Sequence, residues 1–277
     1  MRSNNWLNLS QQQQINIFNQ AGALTGLPAD AIEKDAWVTL VLRMLFSSEL
    51  SPHIVFKGGT SLSKVYGLIE RFSEDIDLSI KREYLGFGDD LSKGQIRKLR
   101  RASHSFSLNT LPDILEKQFD HYGIDGSLYD IAVLNTKISD QDPEVVHNYE
   151  SVFEEETYLE NRVLIETGAR ALNEPFEEKE IQAIIDEQFP EAEFSDNPFL
   201  VKTIVPEKTF LEKMILLHEE FCKPPEKIKY TRMSRHLYDI DQIADTEYGK
   251  RAMKDDQLFR GICNHRAVFT PVKVVEY

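Results

Sequence analysis

The chain has 277 residues, a formal net charge of −14 and 41% hydrophobic content with 16 Phe and 10 Tyr, which is ample for a folded core and excludes wholesale disorder. That charge excludes a protein coated in basic surface for duplex DNA; a local basic groove is still allowed, because a binding footprint is a patch and not an average. Cys222 and Cys263 are the two cysteines; they build no disulfide framework and fit no metal spacing. No apolar run approaches the roughly 18 residues of a membrane span, and the N-terminus has no apolar leader core, so a soluble, cytoplasmic protein is expected.

Residues 30–47, DAIEKDAWVTLVLRMLFS, place apolar groups nearly all round a helix, as buried helices do. HIVF (53–56) is a β-branched run ending in Gly58-Gly59, the pattern of a buried strand entering a tight turn. SLSKVYGLI (61–69) has helical spacing, and DIDLSI (75–80) alternates as a strand with one polar and one apolar face. SLYDIAVLNTKI (127–138) and RVLIET (162–167) are predicted strands, EKEIQAIIDEQF (178–189) and TFLEKMILLHEEF (209–221) predicted helices. Thr209 and Glu212 form a T-x-x-E capping box for the latter. SRHLYDIDQIADTEY (234–248) is predicted as one helix capped by Ser234, and prolines mark loops at 190–206 and 224–225. These elements imply an α/β part over 1–170 and a mainly helical part over 171–277.

On a strand, residues i and i+2 point the same way, about 7 Å apart. Asp75 and Asp77 therefore share one face while Ile76, Leu78 and Ile80 share the other. Adjacent carboxylates repel and raise each other's pKa unless a cation sits between them, and hard oxygen donors suit Mg²⁺ together with substrate phosphates. Gly58-Gly59-Thr60-Ser61 stands between strand and helix, where glycine permits close backbone approach and helix-start N–H groups attract phosphate. A P-loop fails at two positions, an EF-hand from Asp75 lacks its glycine and final glutamate, and RFSE is not the apolar run of an aspartyl-phosphate strand. A bare D-x-D is more often a solvated strand face; the glycine turn upstream shifts the balance to a phosphate-binding turn beside a metal site.

These residues resemble the DNA polymerase β-like nucleotidyltransferase superfamily and, more narrowly, the AbiEii/AbiGii toxin family. The blocks that carry the resemblance are EKDAWV (33–38), FKGGTSLSK (56–64), RFSEDIDL (71–78), RVLIETGAR (162–170), PEKTFLEKMILLHEE (206–220) and SRHLYDI (234–240). The fourteen residues 61–74 between the glycine turn and Asp75 are longer than the superfamily's minimum and in keeping with this subfamily. The resemblance implies a polymerase β-like α/β (α+β) core with a mixed sheet, N-terminal helices and a mainly helical C-terminal region. It makes Asp75, Asp77 and Glu166 ligands of Mg²⁺ (or Mn²⁺), and makes Lys57, Gly58, Gly59, Thr60, Ser61 and Lys213 nucleotide-binding. Asp239 falls in a further essential motif. By spacing alone Lys213 is equally a solvated helix residue beside Glu212, and Asp239 a partner of Arg235 at i−4. Lys57, Lys64 and Arg71 flank the turn and the aspartates as candidate counter-charges for a triphosphate; His218 and His236 have no metal spacing and suit core or surface roles. The activity implied is transfer of NMP from an NTP to a hydroxyl of RNA (a tRNA 3′ end) or protein, in a toxin with an antitoxin encoded nearby. A γ-phosphate kinase and a non-catalytic nucleotide-binding regulator are the other classes to weigh.

One further segment stands out. SKGQIRKLRRASH (92–104) contains no acid, and Lys93, Arg97, Arg100, Arg101 and His104 fall on one helical stripe. It is a candidate RNA-backbone contact, with Phe106 as the sole aromatic nearby to stack on a base.

Overall fold

The computed structural model describes residues 6–71, 75–134, 137, 143–153, 159–231, 233–272 and 274–275. In chain order these form α1 (Gln11–Thr25), α2 (Ala29–Phe46), β1 (Ile54–Lys57), α3 (Gly58–Lys64), β2 (Asp75–Ile80), α4 (Lys93–Ser105), a π-helical turn (Phe106–Thr110) and α5 (Leu111–Tyr122). There follow β3 (Tyr129–Leu134), β4 (Glu144–Tyr149), β5 (Arg162–Gly168), β6 (Phe176–Ile181), α6 (Ile184–Gln188) and β7 (Phe199–Ile204). The chain then turns helical through α7 (Pro206–Phe221), α8 (Met233–Ala244), α9 (Glu247–Ala252) and α10 (Asp256–Phe269). No helix among the described residues is long and apolar enough to cross a membrane.

All seven strands join one mixed sheet in the order β3-β4-β5-β2-β1-β7-β6. β2 runs antiparallel to β1 and parallel to β5, while β1 runs parallel to β7. The expected α/β architecture is therefore present, but the expected boundary at residue 170 cuts the sheet: β6 and β7 lie beyond it, and the helical part starts at Pro206. A second, smaller apolar cluster joins Leu62 and Ile69 to Phe210, Leu211 and Ile215 of α7 and to Ile243 and Ile262, which ties the helices to the flank of α3.

α2 is buried on nearly every side, as its sequence predicts, and that includes three consecutive ionisable residues. Each has partners, as burial demands. Glu33 accepts bonds from Ser151 Oγ (2.7 Å) and the Val152 N–H (2.9 Å), and Lys34 Nζ donates to the Glu160 carbonyl (2.5 Å). Asp35 accepts from Lys64 Nζ (2.6 Å) and the Ile184 N–H (2.8 Å), so it fixes the end of α3 from behind.

Several predicted elements are corrected. The helix expected over 61–69 begins at Gly58 and stops at Lys64; the chain then turns through Gly67 at φ +59°, and Leu68-Ile69 pack as a loop. The helix expected over 178–189 divides into β6 and the short α6. β6 is an edge strand, where charges are tolerated, and its Glu178 faces Lys202 of β7 across the pair. The loop expected over 190–206 contains β7: Pro198 precedes that strand and Pro206 opens α7, so the prolines bound a strand instead of marking a loop. Since α7 starts at Pro206 with Val205 as its cap, the Thr209–Glu212 capping box does not form. Ser234 likewise lies inside α8, and the helix expected to run to 248 breaks at Ala244. Thr246 caps α9, whose Gly249 has no room for a side chain: a Cβ there would sit 2.3 Å from the Ile243 carbonyl oxygen. β3 accounts for 129–134 of the strand expected over 127–138; positions 135, 136 and 138 are outside the described residues. Phe106 is buried in the core and offers no stacking surface.

His147 is fully buried, its ring packed in a cluster with those of Phe119 and Tyr129. Neither ring nitrogen bonds another described residue, and burial pushes its pKa down to about 3. The unfolded chain therefore takes up this proton first, near pH 6.5, and native stability falls as pH drops below that value. His147→Phe is expected to flatten the loss between pH 6.5 and 3 by up to about 1.4 kcal/mol per pH unit. Urea unfolding at a series of pH values checks this; a slope equal to wild type would contradict it.

Candidate active site

The register of the sheet brings four charged residues into one row. Lys57 of β1 pairs with Asp77 of β2, Asp77 with Glu166 of β5, and Glu166 with Glu144 of β4. Neighbouring strands lie about 4.8 Å apart and paired residues share a face, so the row is lysine followed by three adjacent carboxylates. Asp75 adds a fourth, two residues earlier on the same face of β2. All five line a cleft of about 570 Å³, within the ordinary range of small-ligand sites.

The carboxylates feel one another. Burial first, then the charges of Asp77, Asp75 and Glu144, raise the Glu166 pKa to about 7 against the opposing pull of Lys57. Lys57 Nζ stands 3.9 Å from Asp77 Oδ1. Among the described residues no three His, Cys, Asp or Glu side chains converge tightly enough to grip an ion as they stand. The chemistry of the donor set nevertheless suits a hard divalent cation, since adjacent carboxylates on two strands, one of them held in a disfavoured charge state, are relieved by such an ion.

Gly58 and Gly59 bring bare backbone to the cleft. Gly58 has φ +84°, and a Cβ there would lie 2.0 Å from Asp77 Oδ2; the aspartate occupies the space a side chain would need. Thr60 and Ser61 point elsewhere. Both are buried, with Thr60 Oγ1 donating to the Asp75 carbonyl (2.5 Å) and Ser61 Oγ to the Gly58 carbonyl (2.9 Å). Their hydroxyls brace the turn and leave the cleft to the glycine backbone. Lys64 is also turned away, into its ion pair with Asp35, whereas Arg71 does reach the cleft.

The opposite wall is cationic. Asp239 of α8 is fully buried and accepts two bonds from Arg71, at 2.7 and 2.8 Å, and one ion pair from Lys213 Nζ at 2.9 Å. Burial alone would raise its pKa, but the Arg71 bonds and the Lys213 charge outweigh that and hold it below the usual carboxylate range. The expected i−4 pairing of Asp239 with Arg235 does not form; Arg235 is exposed and lines the cleft. Lys213 is not the solvated residue of the plainer reading, being buried and in contact with His236 Nδ1 at 3.4 Å. Burial, then the Lys213 charge, lowers the His236 pKa. His218 is exposed on α7, away from the cleft.

Sequence reasoning missed Glu144, Glu212 and His265, which line the same cleft. His265 Nε2 lies 2.5 Å from Arg82 Nη2 and so accepts from it, and burial followed by the Arg82 charge lowers its pKa to about 4. The apolar spacing of Leu258, Ile262 and Phe269 in α10 was the available signal for that wall. Glu144 could be found only through strand register.

A glycine turn, carboxylates on adjacent central strands and a facing helical wall, within a mixed α/β sheet, define a nucleotidyltransferase-like fold. A family model described as "Nucleotidyl transferase AbiEii toxin, Type IV TA system" matches residues 40–276. The chain belongs to that family. No curated protein sequence matches it.

Gly58→Ala forces a left-handed alanine against the Asp77 carboxylate. It is expected to cost about 1 kcal/mol or more in stability and to reduce activity far more than the stability loss explains. Thermal unfolding together with an activity assay checks this; an active, equally stable alanine variant would contradict the packing argument.

Proposed function

We propose that the chain is a Mg²⁺-dependent (or Mn²⁺-dependent) nucleotidyltransferase that moves NMP from an NTP to an acceptor hydroxyl. The observation that carries this reading is the division of one cleft into a carboxylate wall and a cationic wall. Asp75, Asp77 and Glu166 would hold the divalent cation, which when bound neutralises charge developing on the transferred phosphate. Lys57 and the bare backbone of Gly58-Gly59 would meet the donor's phosphates beside it. Lys213 and Arg71, held by Asp239, would bind the β- and γ-phosphates, and Arg235 offers a further cation at the cleft edge. Glu166 would orient the acceptor hydroxyl. In the reaction the acceptor oxygen bonds to the α-phosphorus, the bond from that phosphorus to the β-bridging oxygen breaks, pyrophosphate leaves, and the hydroxyl proton passes to a basic group or water.

The acceptor class proposed is RNA, such as a tRNA 3′ end, or protein. Family membership supports a toxin role in a type IV system with a cognate antitoxin, and an NTP donor fits action in the cytoplasm.

Incubation with each α-³²P-NTP, Mg²⁺ and total bacterial RNA tests the reading. Label is expected in RNA or protein from one donor, and a variant carrying Asp75→Asn and Asp77→Asn together should abolish it. Transfer of γ-label instead would make the protein a kinase; no α-label transfer to any acceptor would contradict the proposal.

Asp239 touches no substrate in this scheme and is a positioning residue. Asp239→Asn is expected to raise KM for the NTP roughly tenfold or more, the scale of a lost charge-assisted hydrogen bond. If it acts through Lys213, then Lys213→Gln and Asp239→Asn together should cost little more than the worse single change. Additive losses would show that Asp239 acts independently.

A further inference from the structure

We propose that the exposed face of α4 is a phosphate-backbone docking surface for an RNA acceptor, a proposal that rests on the transferase reading above. The structure redraws the stripe expected from the sequence. Ile96, Leu99, Ser103 and His104 form the buried face, and Arg100 is half-buried. The face left in solvent carries Lys93, Arg97, Lys98 and Arg101. Among the described residues none of these four ion-pairs with an acid. In a chain of net charge −14, four adjacent exposed cations with no ion-paired acid among the described residues are a local reversal of the protein's field. They span about 12 Å along the helix.

The N-terminal end of this segment stands beside the cleft wall. At the start, Ser92 caps α4 with a full capping box and, with Asp89, Asp90 and Leu91, faces His265, Val268 and Phe269 across a second cavity of about 430 Å³. His265 also lines the first cleft. At the other end, the buried Ser107 of the π-helical turn lies 2.5 Å, Oγ to Oγ1, from Thr167, whose side chain points to the sheet face opposite Glu166, so this end packs behind the sheet. An RNA whose 3′ end enters the cleft would lay its upstream phosphates on the basic face by passing this shared edge at His265.

The composition of the face selects among acidic partners. A protein partner needs buried apolar or aromatic anchors at the centre of its interface. The fully exposed positions of α4 are Lys93, Gly94, Gln95, Arg97, Lys98, Arg101 and Ser105, with no such anchor. Phosphates need only cations, and binding of this kind depends on salt and not on sequence. With Phe106 buried, no ring on this face reads a base. Asp89 and Asp90 are exposed just before the helix, so Arg97, Lys98 and Arg101, further along it, carry the contact.

The test is binding of a labelled RNA hairpin with a single-stranded 3′ tail across a salt series, without NTP, so that its outcome does not depend on catalysis. The triple variant Arg97→Gln, Lys98→Gln, Arg101→Gln changes only exposed side chains to good helix formers, and its melting temperature should match wild type. It is expected to bind about tenfold or more weakly at low salt, with the slope of log K against log salt reduced by roughly 2. NTP binding, followed separately by quenching of a fluorescent analogue, should not change. Equal RNA affinity and slope in wild type and variant would overturn the proposal, as would no binding of the hairpin by wild type. Binding of polyglutamate in place of RNA would also overturn it and assign the face to an acidic protein. Failure of the transferase reading would show instead as absent α-label transfer while RNA binding persists.

Discussion

The structure depends on the register of four strands, β1, β2, β5 and β4. Because Lys57, Asp77, Glu166 and Glu144 pair in sequence across them, like charges meet at strand spacing, a contact that destabilises a sheet when it stands alone. The apolar residues on the other face of β2 oppose any slip. Ile76, Leu78 and Ile80 are all buried, and a shift of one residue would expose them while burying both aspartates. The hydrophobic core thus compels the carboxylates to stand together, and the raised pKa of Glu166 reflects its burial first and that proximity second.

A second layer holds the flank of the row. Asp35, on the buried α2, grips Lys64 at the end of α3 and the backbone of Ile184 at once. Thr60 ties the middle of α3 to the first residue of β2. The glycine turn is consequently fixed at both ends before any ligand arrives, as a preorganised site requires. The EKD stretch of α2 is costly to bury, and each of its three charges answers to a distant segment of the chain, so it defines how loops and strands assemble around the helix.

Local patterns carried much of this. The alternation of DIDLSI, the buried helix before it, and the strand at 162–167 are legible because period and burial agree in each. The places where reading failed are those where tertiary context decided. β6 has the composition of a helix, and only its place at the sheet edge beside β7 makes a strand of it. β7 is bracketed by prolines that look like loop signals until the sheet supplies partners on both sides. Thr209 and Glu212 have the spacing of a capping box, but Pro206 starts the helix three residues early. At the site, Asp75 and Asp77 follow from strand geometry alone, whereas the partners of Asp239 could not be read from any spacing. Its neighbours in sequence suggested Arg235; its neighbours in space are Arg71, 168 residues away, and Lys213.

That long-range clamp explains how an acidic protein presents cations to its cleft. Lys213 and Arg71 share one buried carboxylate, so the cluster of three keeps a net positive charge while each cation has a partner that restrains its side chain. The opposite wall has the reverse balance, several carboxylates against Lys57. A nucleotide triphosphate alone would be repelled by that wall, and a divalent cation alone would be repelled by the clamp. Bound together, as proposed, they would complement both walls. On the proposed reading the cleft would therefore favour a metal–nucleotide complex over either component, through charge placement that the sheet register and the buried Asp239 enforce from opposite sides.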